Sequence, residues 1–538
     1  MSLSNTNGRG AMRSWSAWAS AGLAVIGASV LYRPAVPFVL AWAGWALTGW
    51  LVPRVTADRV CVRLARWSYC LKIGLAFALF AASVARWPIP VGLYHGGEGF
   101  WIFAYDAQAY HNFGLAVVKA WAGHGEFPRI DFSNWSYLAY ISLLYRWLGV
   151  HPLIPSVLNA WYGTFMVCAG LSIVRCWKAP VRVQRWMTGL LGFWPSLLLW
   201  SSQAFKDPLI LTLIMLGLAA LVSLLAQPSP APAGRLSRSA WQIGIVAAAL
   251  TFFRSYVGLC FGVLVVATTV CLAVRAVLQR AHRQVGGLAV IAAVTVVAVI
   301  RTEQFDVSKV IMQMSRPARP PAAAAAPQPV AVRIASDQLT PRAPAATEAP
   351  PPDQPSEPPS EPPHASSLLS AIMERDGGMA QQVPDKMNDL RQGFINTGGK
   401  SIIDPKVEVG TPLSAVRYLP RSLVLVFLAP FPRQWFEIGG DTAVFRRLAS
   451  IEMILIYLLL VGCLCRWREL RPYLGAQTAV LGCFILLVAV PMALTVANLG
   501  TLFRLRLQFL MPLLVLISVV DIPQFYLGLP GRLRRRIK

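Results

Sequence analysis

The chain is 538 residues long, 56% hydrophobic and only 14% charged, with a net charge of +25 at pH 7. A mean hydropathy of +0.53 excludes a soluble globular domain of this size and predicts an all-α, polytopic bundle of transmembrane helices. The basic excess does not indicate nucleic acid, because the aromatic residues follow membrane periodicity and no groove-reading motif is present.

A spanning helix needs about 20 apolar residues. Apolar stretches near 17–32, 35–52, 68–86, 153–174, 186–203, 207–226, 256–276, 286–301, 449–466, 475–497 and 503–521 are candidates. Shorter ones at 134–149, 240–253 and 418–431 bring the expectation to 11–14 spans. Arg9 and Arg13 precede an apolar run as in a signal peptide. The second stretch follows so closely that a retained first span is expected instead.

Five segments follow: N-terminal spans (1–86), an outer loop with short amphipathic helices (87–133), a central bundle (134–301), an outer insert (302–420), and a C-terminal bundle with a basic tail (421–538). Within the insert, the Pro/Ala-rich run 316–363 cannot bury a core and reads as a disordered linker. Residues 364–417 regain mixed composition and suit one or two amphipathic helices.

Basic clusters fix the orientation. Arg54, Arg59, Arg63 and Arg66 follow the second stretch, and Arg175, Lys178, Arg182 and Arg185 follow the span at 153–174. Arg275, Arg280 and Arg283, then Arg466, Arg468 and Arg471, then the tail from Arg532, complete the set. Such clusters mark cytoplasmic loops. They place 87–133 and 302–448 outside, provided that neither 134–149 nor 418–431 crosses fully. Segment 302–441 holds 15 acids against 13 bases, as an outer segment should. Heavy Ala and Arg usage points to a bacterial inner membrane, and the sequon at Asn134 then reads as accidental. All nine cysteines lie in spans or inner loops, so no disulfide framework is implied, and Cys463-Leu-Cys465 lacks partners at metal-ligand spacing.

The outer loop carries the first chemical signal. Residues 87–133 contain only four acids, Glu98, Asp106, Glu126 and Asp131. Asp106 opens a segment in which Ala107, Tyr110, Phe113, Leu115, Val117, Val118 and Trp121 make a rough apolar face at helical spacing. Asp106 reads as an N-cap, as a general base at the membrane surface, or as both. His111 points away from it and reads as a polar-face histidine.

The second signal is cationic. Lys206, Arg254, Arg504 and Arg506 fall at the outer boundary, where the positive-inside rule makes bases less expected. Some read equally well as snorkelling anchors. Asp207-Pro208 reads as a helix N-cap with proline at the first turn. Arg504 and Arg506 are two residues apart, so at most one faces a given pocket. Glu452, an intramembrane acid, is expected to pair with one of these bases.

Four patches resemble the GT-C superfamily of integral-membrane glycosyltransferases, which use polyprenyl-phosphate-linked sugars: Tyr105-Asp106-Ala107-Gln108; Tyr137 through Val150 with Asn159; Phe193-Trp-Pro-Ser with Lys206-Asp207; and Asn498-Leu-Gly-Thr with Arg504 and Arg506, together with Leu428-Ala-Pro-Phe-Pro432. The resemblance implies a catalytic Asp106, with Lys206, Asp207, Arg254, Arg504, Arg506 and Tyr110 contacting substrate. The donor would be a polyprenyl-phosphate sugar and the acceptor a cell-envelope glycan, lipid or protein. No cofactor is firmly implied, a divalent cation remaining possible. The chain departs from the family in having two extra spans before the acid, and Ala107-Gln108 where many members place a second acid. A polysaccharide polymerase or ligase would use the same groups. A transporter or flippase for lipid-linked oligosaccharide would need repeats and midplane polar groups, and no clear repeat is present. A membrane scaffold with 302–420 as a docking arm is the remaining class.

Overall fold

The computed structural model describes residues 33–87, 94–95, 98–101, 104–128, 135–227, 233–314, 379–396, 402–435, 443–520 and 522. The apolar stretch at 17–32, the linker at 316–363, Asp131 and the tail from Arg532 lie outside these residues. The described chain is an all-α bundle with one two-stranded antiparallel pair, β1 (Tyr94–His95) and β2 (Phe100–Trp101).

Helices α1 (Val36–Val55) and α2 (Arg59–Val84) form the first hairpin. Asp58 turns the corner: its carboxylate accepts from Cys61 N at 3.0 Å, which caps α2, and from the Arg185 guanidinium at 2.8 and 2.9 Å. That guanidinium holds the Asp58 carboxyl below the ordinary carboxylate range. The short helices α3 (Tyr105–Trp121) and α4 (Trp135–Leu148) pack together. Gly114 allows this approach, since a Cβ there would lie 2.9 Å from Ile141 Cγ2.

Next come α5 (Leu153–Cys176), α6 (Val181–Gly192), α7 (Pro195–Ser201), α8 (Asp207–Leu225), α9 (Ala233–Phe253), α10 (Ser255–Leu278) and α11 (His282–Glu303). After α12 (Val307–Met314), the described residues resume with α13 (Met379–Asn396), α14 (Pro412–Leu428), α15 (Ala443–Cys465) and α16 (Ala476–Thr495). The last pair is α17 (Leu499–Leu505) and α18 (Leu507–Ile517), bent by 48°.

Among the described residues, eight helices are long and apolar enough to span, or up to ten if each of two bent pairs counts as one span. The expectation of 11–14 spans also counted the stretch at 17–32, which lies outside the described residues, and the shorter stretches have local reasons for not forming one long helix. The stretch at 186–203 is two short helices, because Pro195 supplies no N–H to continue α6. The stretches at 134–149 and 418–431 become helices of 14 and 17 residues, and neither is among the candidate spans. Both are the stretches whose failure to cross the inferred orientation requires.

One apolar core joins α5, α6, α8, α9, α10, α16 and α18. A few buried polar contacts tie it across helices. Lys72, 1% exposed, donates to Ser68 Oγ at 2.6 Å and to the Gly192 carbonyl at 2.8 Å, bracing α2 against the α6–α7 break. Near that break, Glu452 accepts from Ser196 N at 3.0 Å and pairs with Arg506 at 3.3 Å. It thus satisfies an otherwise orphaned N–H in the first turn of α7.

Candidate functional site

Two helix starts, one helix junction and the last turn of a fourth element converge on a single charged cluster. Asp106 is the second residue of α3. It makes no capping hydrogen bond; its carboxylate instead meets Arg504 Nη1 at 2.5 Å, across 398 residues of chain. The capping role expected for Asp106 is therefore not the one its side chain takes. Asp207 opens α8, also without a cap bond, so the N-cap reading gives way there too. Its two oxygens lie 3.4 Å from Arg254 Nη1 and 3.3 Å from Arg504 Nε. The ion pairs with cations of other helices take the place of the local backbone contact in both cases.

The cations arrive by three different routes. Arg254 is the single residue between α9 and α10, with φ −160° and ψ 88°. Its N–H continues the α9 ladder to Leu250 O and its carbonyl starts α10. The chain kinks there and delivers the guanidinium to Asp207. Arg504 comes from the last turn of α17, which Asn498 caps by accepting from Gly500 N at 2.9 Å and Thr501 N at 3.3 Å. The Phe205 ring lies 5.5 Å from the Arg504 guanidinium, and the Tyr256 ring 5.9 Å from that of Arg254. Lys206 is 5% exposed beside Asp207. Burial, followed by the charge of Arg254, pushes its ammonium well below the ordinary lysine range.

The cluster is open on one side and closed on the other. Asp106 and Arg504 side chains are 39% and 24% exposed, whereas Asp207 and Arg254 are 4% and 9% exposed. Arg504 Nε, Arg254 Nη1 and Asp207 Oδ2 are buried and make no well-aligned hydrogen bond, although all lie at ion-pair distance. Donors are thus in place, but not aimed at their present partners.

Several residues hold this geometry. Asn159 Nδ2 donates to the carbonyls of Gln203 at 2.8 Å and Phe205 at 3.1 Å, and the Tyr137 hydroxyl donates to Ala204 O at 3.3 Å. Together they fix the loop that ends in Lys206-Asp207. Tyr110 packs edge-on against Tyr137, ring centres 4.7 Å apart. It is 2% exposed, and burial with the nearby Asp106 charge raises its phenol, which stays neutral. Tyr256 donates to Gln508 Oε1 at 2.7 Å, linking α10 to α18.

Of the seven residues the sequence singled out, six meet here, and Arg506 does not. It lies two residues beyond Arg504, at the α17–α18 bend, and its guanidinium goes to Glu452, Ala429 O at 2.7 Å and Met453 S at 3.0 Å. Arg506, expected beside the others as a substrate contact, thus stands apart from this cluster. The physical reason is the one that separated the two arginines in the sequence, opposed directions on a helix. A small apolar cavity of about 20 Å³, lined by Phe427, Leu459, Phe509 and Leu513 among others, lies on the Arg506 side. His111 is buried rather than on a polar face: its Nδ1 pairs with the Tyr145 hydroxyl at 2.8 Å, and burial lowers it to about 4. Tyr256 and Phe205 gave no chemical signal in the sequence, since aromatic residues are common in any membrane helix, and Gln508 is a lone amide with no local pattern around it.

The turn that carries Arg504 is itself clamped. Ile403 N donates to Ala497 O at 2.7 Å, and Ile402 bridges Asn498. Arg391, fully buried on α13, donates to the carbonyls of Val407, Leu494, Ile403 and Asp404 at 2.9–3.4 Å. The C-terminal part of the insert is thereby fastened to the end of α16.

Among the described residues, no three His, Cys, Asp or Glu side chains group to hold a metal ion. Comparison of the chain with protein-family models, curated proteins and solved structures gave no match.

Proposed function

We infer that this protein is a membrane glycosyltransferase that moves a sugar from a polyprenyl-phosphate donor to a cell-envelope acceptor on the outer face. The observation that supports this reading is the cluster itself. A half-exposed carboxylate lies beside the partly exposed Arg504 at the rim of a group that includes the buried Lys206 and Arg254, balanced by one further acid, Asp207. A base facing an acceptor and cations facing a leaving phosphate are the two requirements of inverting displacement at an anomeric carbon.

In this reading Asp106 takes the proton of the attacking hydroxyl or amine. The nucleophile attacks the anomeric carbon, its bond to the phosphate oxygen breaks, and the polyprenyl phosphate departs with the electron pair. Arg254, Arg504 and Lys206 stabilise the charge that develops on that phosphate. Arg254 and Lys206 are held by buried neighbours, so little reorganisation accompanies the reaction. The inner-loop arginines support placing the cluster on the exterior side of a bacterial inner membrane.

The test is transfer from a panel of polyprenyl-phosphate sugars by the protein in nanodiscs, beside an Asp106→Asn variant of matched thermal stability. General-base help is worth about 10²–10⁴ in rate, and the variant is expected to lose that factor. Equal turnover by both proteins removes Asp106 from the chemistry. Absence of transfer from every donor removes the transferase reading.

A further inference from the structure

Taking Asp106 as the base, as above, we propose that Arg504 is a movable latch on that carboxylate, released when the phosphate of the lipid donor binds. The donor must then bind before the acceptor can be deprotonated.

The argument starts from a conflict in the geometry. The Asp106 oxygen that Arg504 Nη1 holds at 2.5 Å already accepts a hydrogen bond and is not open to the proton of an incoming acceptor. Arg504 therefore occupies the group that the reaction uses. Its other contact is weaker. Arg504 Nε lies 3.3 Å from Asp207 Oδ2 without an aligned hydrogen bond, and both atoms are buried. Arg254 Nη1, on a side chain 9% exposed, likewise lies 3.4 Å from Asp207 Oδ1 with no hydrogen bond formed. The interior of the cluster thus presents two guanidinium donors without well-made bonds, beside the buried ammonium of Lys206.

Arg254 and Lys206 carry the same sign as Arg504 and oppose its moving further inward, and Asp207 is the one acid that offsets them there. A phosphate placed among the three cations reverses that balance. It offers oxygens to Arg254 Nη1 and Arg504 Nε and makes the inward position of Arg504 favourable by charge-assisted hydrogen bonding. Asp106 is half-exposed, so the freed carboxylate faces the side from which an acceptor arrives. Only side-chain rotation is needed: Arg504 ends a seven-residue helix that Asn498 caps and the clamp at Ile402 and Ile403 anchors.

The test reads Asp106 directly and does not depend on turnover. Full-length protein in nanodiscs is labelled at mildly acidic pH with a water-soluble carbodiimide and an amine, and modification of Asp106 is counted by mass spectrometry. Labelling is compared without ligand, with a short-chain polyprenyl phosphate, with inorganic phosphate and with the uncharged polyprenol. The expected result is a several-fold rise with the polyprenyl phosphate and none with the polyprenol. Arg504→Gln should show the raised level without ligand, and Arg504→Lys serves if that variant folds poorly. A rise of the same size with inorganic phosphate supports the latch but assigns its release to free phosphate rather than to a lipid headgroup.

Labelling that stays flat or falls while a thermal shift shows the polyprenyl phosphate bound overturns the latch and leaves the transferase reading standing. Failure of either phosphate to bind overturns it as well. A rise without any sugar transfer has the opposite meaning: the latch stands and the transferase reading falls.

Discussion

Replacing Asp207 by asparagine separates the electrostatics of the cluster from its packing. The side chain is 4% exposed and lies 3.4 Å from Arg254 and 3.3 Å from Arg504. Asparagine keeps the volume, so no cavity is created; only one negative charge disappears. Unit charges about 4 Å apart interact by about 4 kcal/mol at an effective dielectric of about 20. Removing one partner of a buried pair costs about 3–5 kcal/mol, because the remaining charge is uncompensated. A loss of about that size is expected in chemical or thermal unfolding followed by tryptophan fluorescence in nanodiscs. Since the deficit is one of charge, an anion should repair it. Binding only to the folded state stabilises by about 2.7 kcal/mol at 100 times Kd. Phosphate at constant ionic strength should therefore raise the midpoint of Asp207→Asn more than that of wild type. Asp58→Asn, in a more exposed pair elsewhere in the bundle, should show no such response. A cost below about 1 kcal/mol, or equal anion responses in Asp207→Asn and wild type, refutes the reasoning.

Three further outcomes are expected. Glu452→Ala strands the buried Arg506 guanidinium and the Ser196 N–H, at a cost of about 3–5 kcal/mol. Adding Arg506→Met should recover much of that, and a double-mutant cycle with no coupling would contradict the pairing. Arg391→Met leaves the carbonyls of Val407, Ile403, Asp404 and Leu494 without their donor. Limited proteolysis should then cut within 397–411 at protease levels that spare wild type, and unchanged protection counts against the clamp. Burial lowers His111 from the ordinary 6.5 to about 4, so the unfolded chain binds the extra proton first. Stability from this group is complete above about pH 6.5 and falls toward pH 4, by on the order of 3 kcal/mol. His111→Gln should flatten that part of the midpoint-versus-pH curve, and an identical curve would remove the histidine from it.

Much of the site was legible before any coordinates, because charge is expensive in a membrane and so stands out in a sequence. Asp106, Lys206, Asp207, Arg254 and Arg504 were each conspicuous for that reason, as was the pairing expected for Glu452. Their partners were not legible. The Asp106–Arg504 contact spans 398 residues, and neither local pattern indicates it. The same absence of local signal hid Asn159 as the anchor of the 203–205 loop and Arg391 as the clamp on the Arg504 turn. Capping, a local rule, failed at Asp106 and Asp207 because distant arginines compete for both carboxylates.

What the sequence determined alone was the class of molecule and the places where charge enters it: apolar runs of spanning length must become helices, since lipid offers no partner for an open backbone. Whether an apolar run crosses as one helix was decided by interruptions such as Pro195, and by the packing of the short helices at 135–148 and 412–428. The tertiary structure alone decided which charges meet, sending Arg504 to Asp106 and Arg506 to Glu452 from positions two residues apart. That choice rests on helix direction and on the chain's long-range return, which no window of sequence contains.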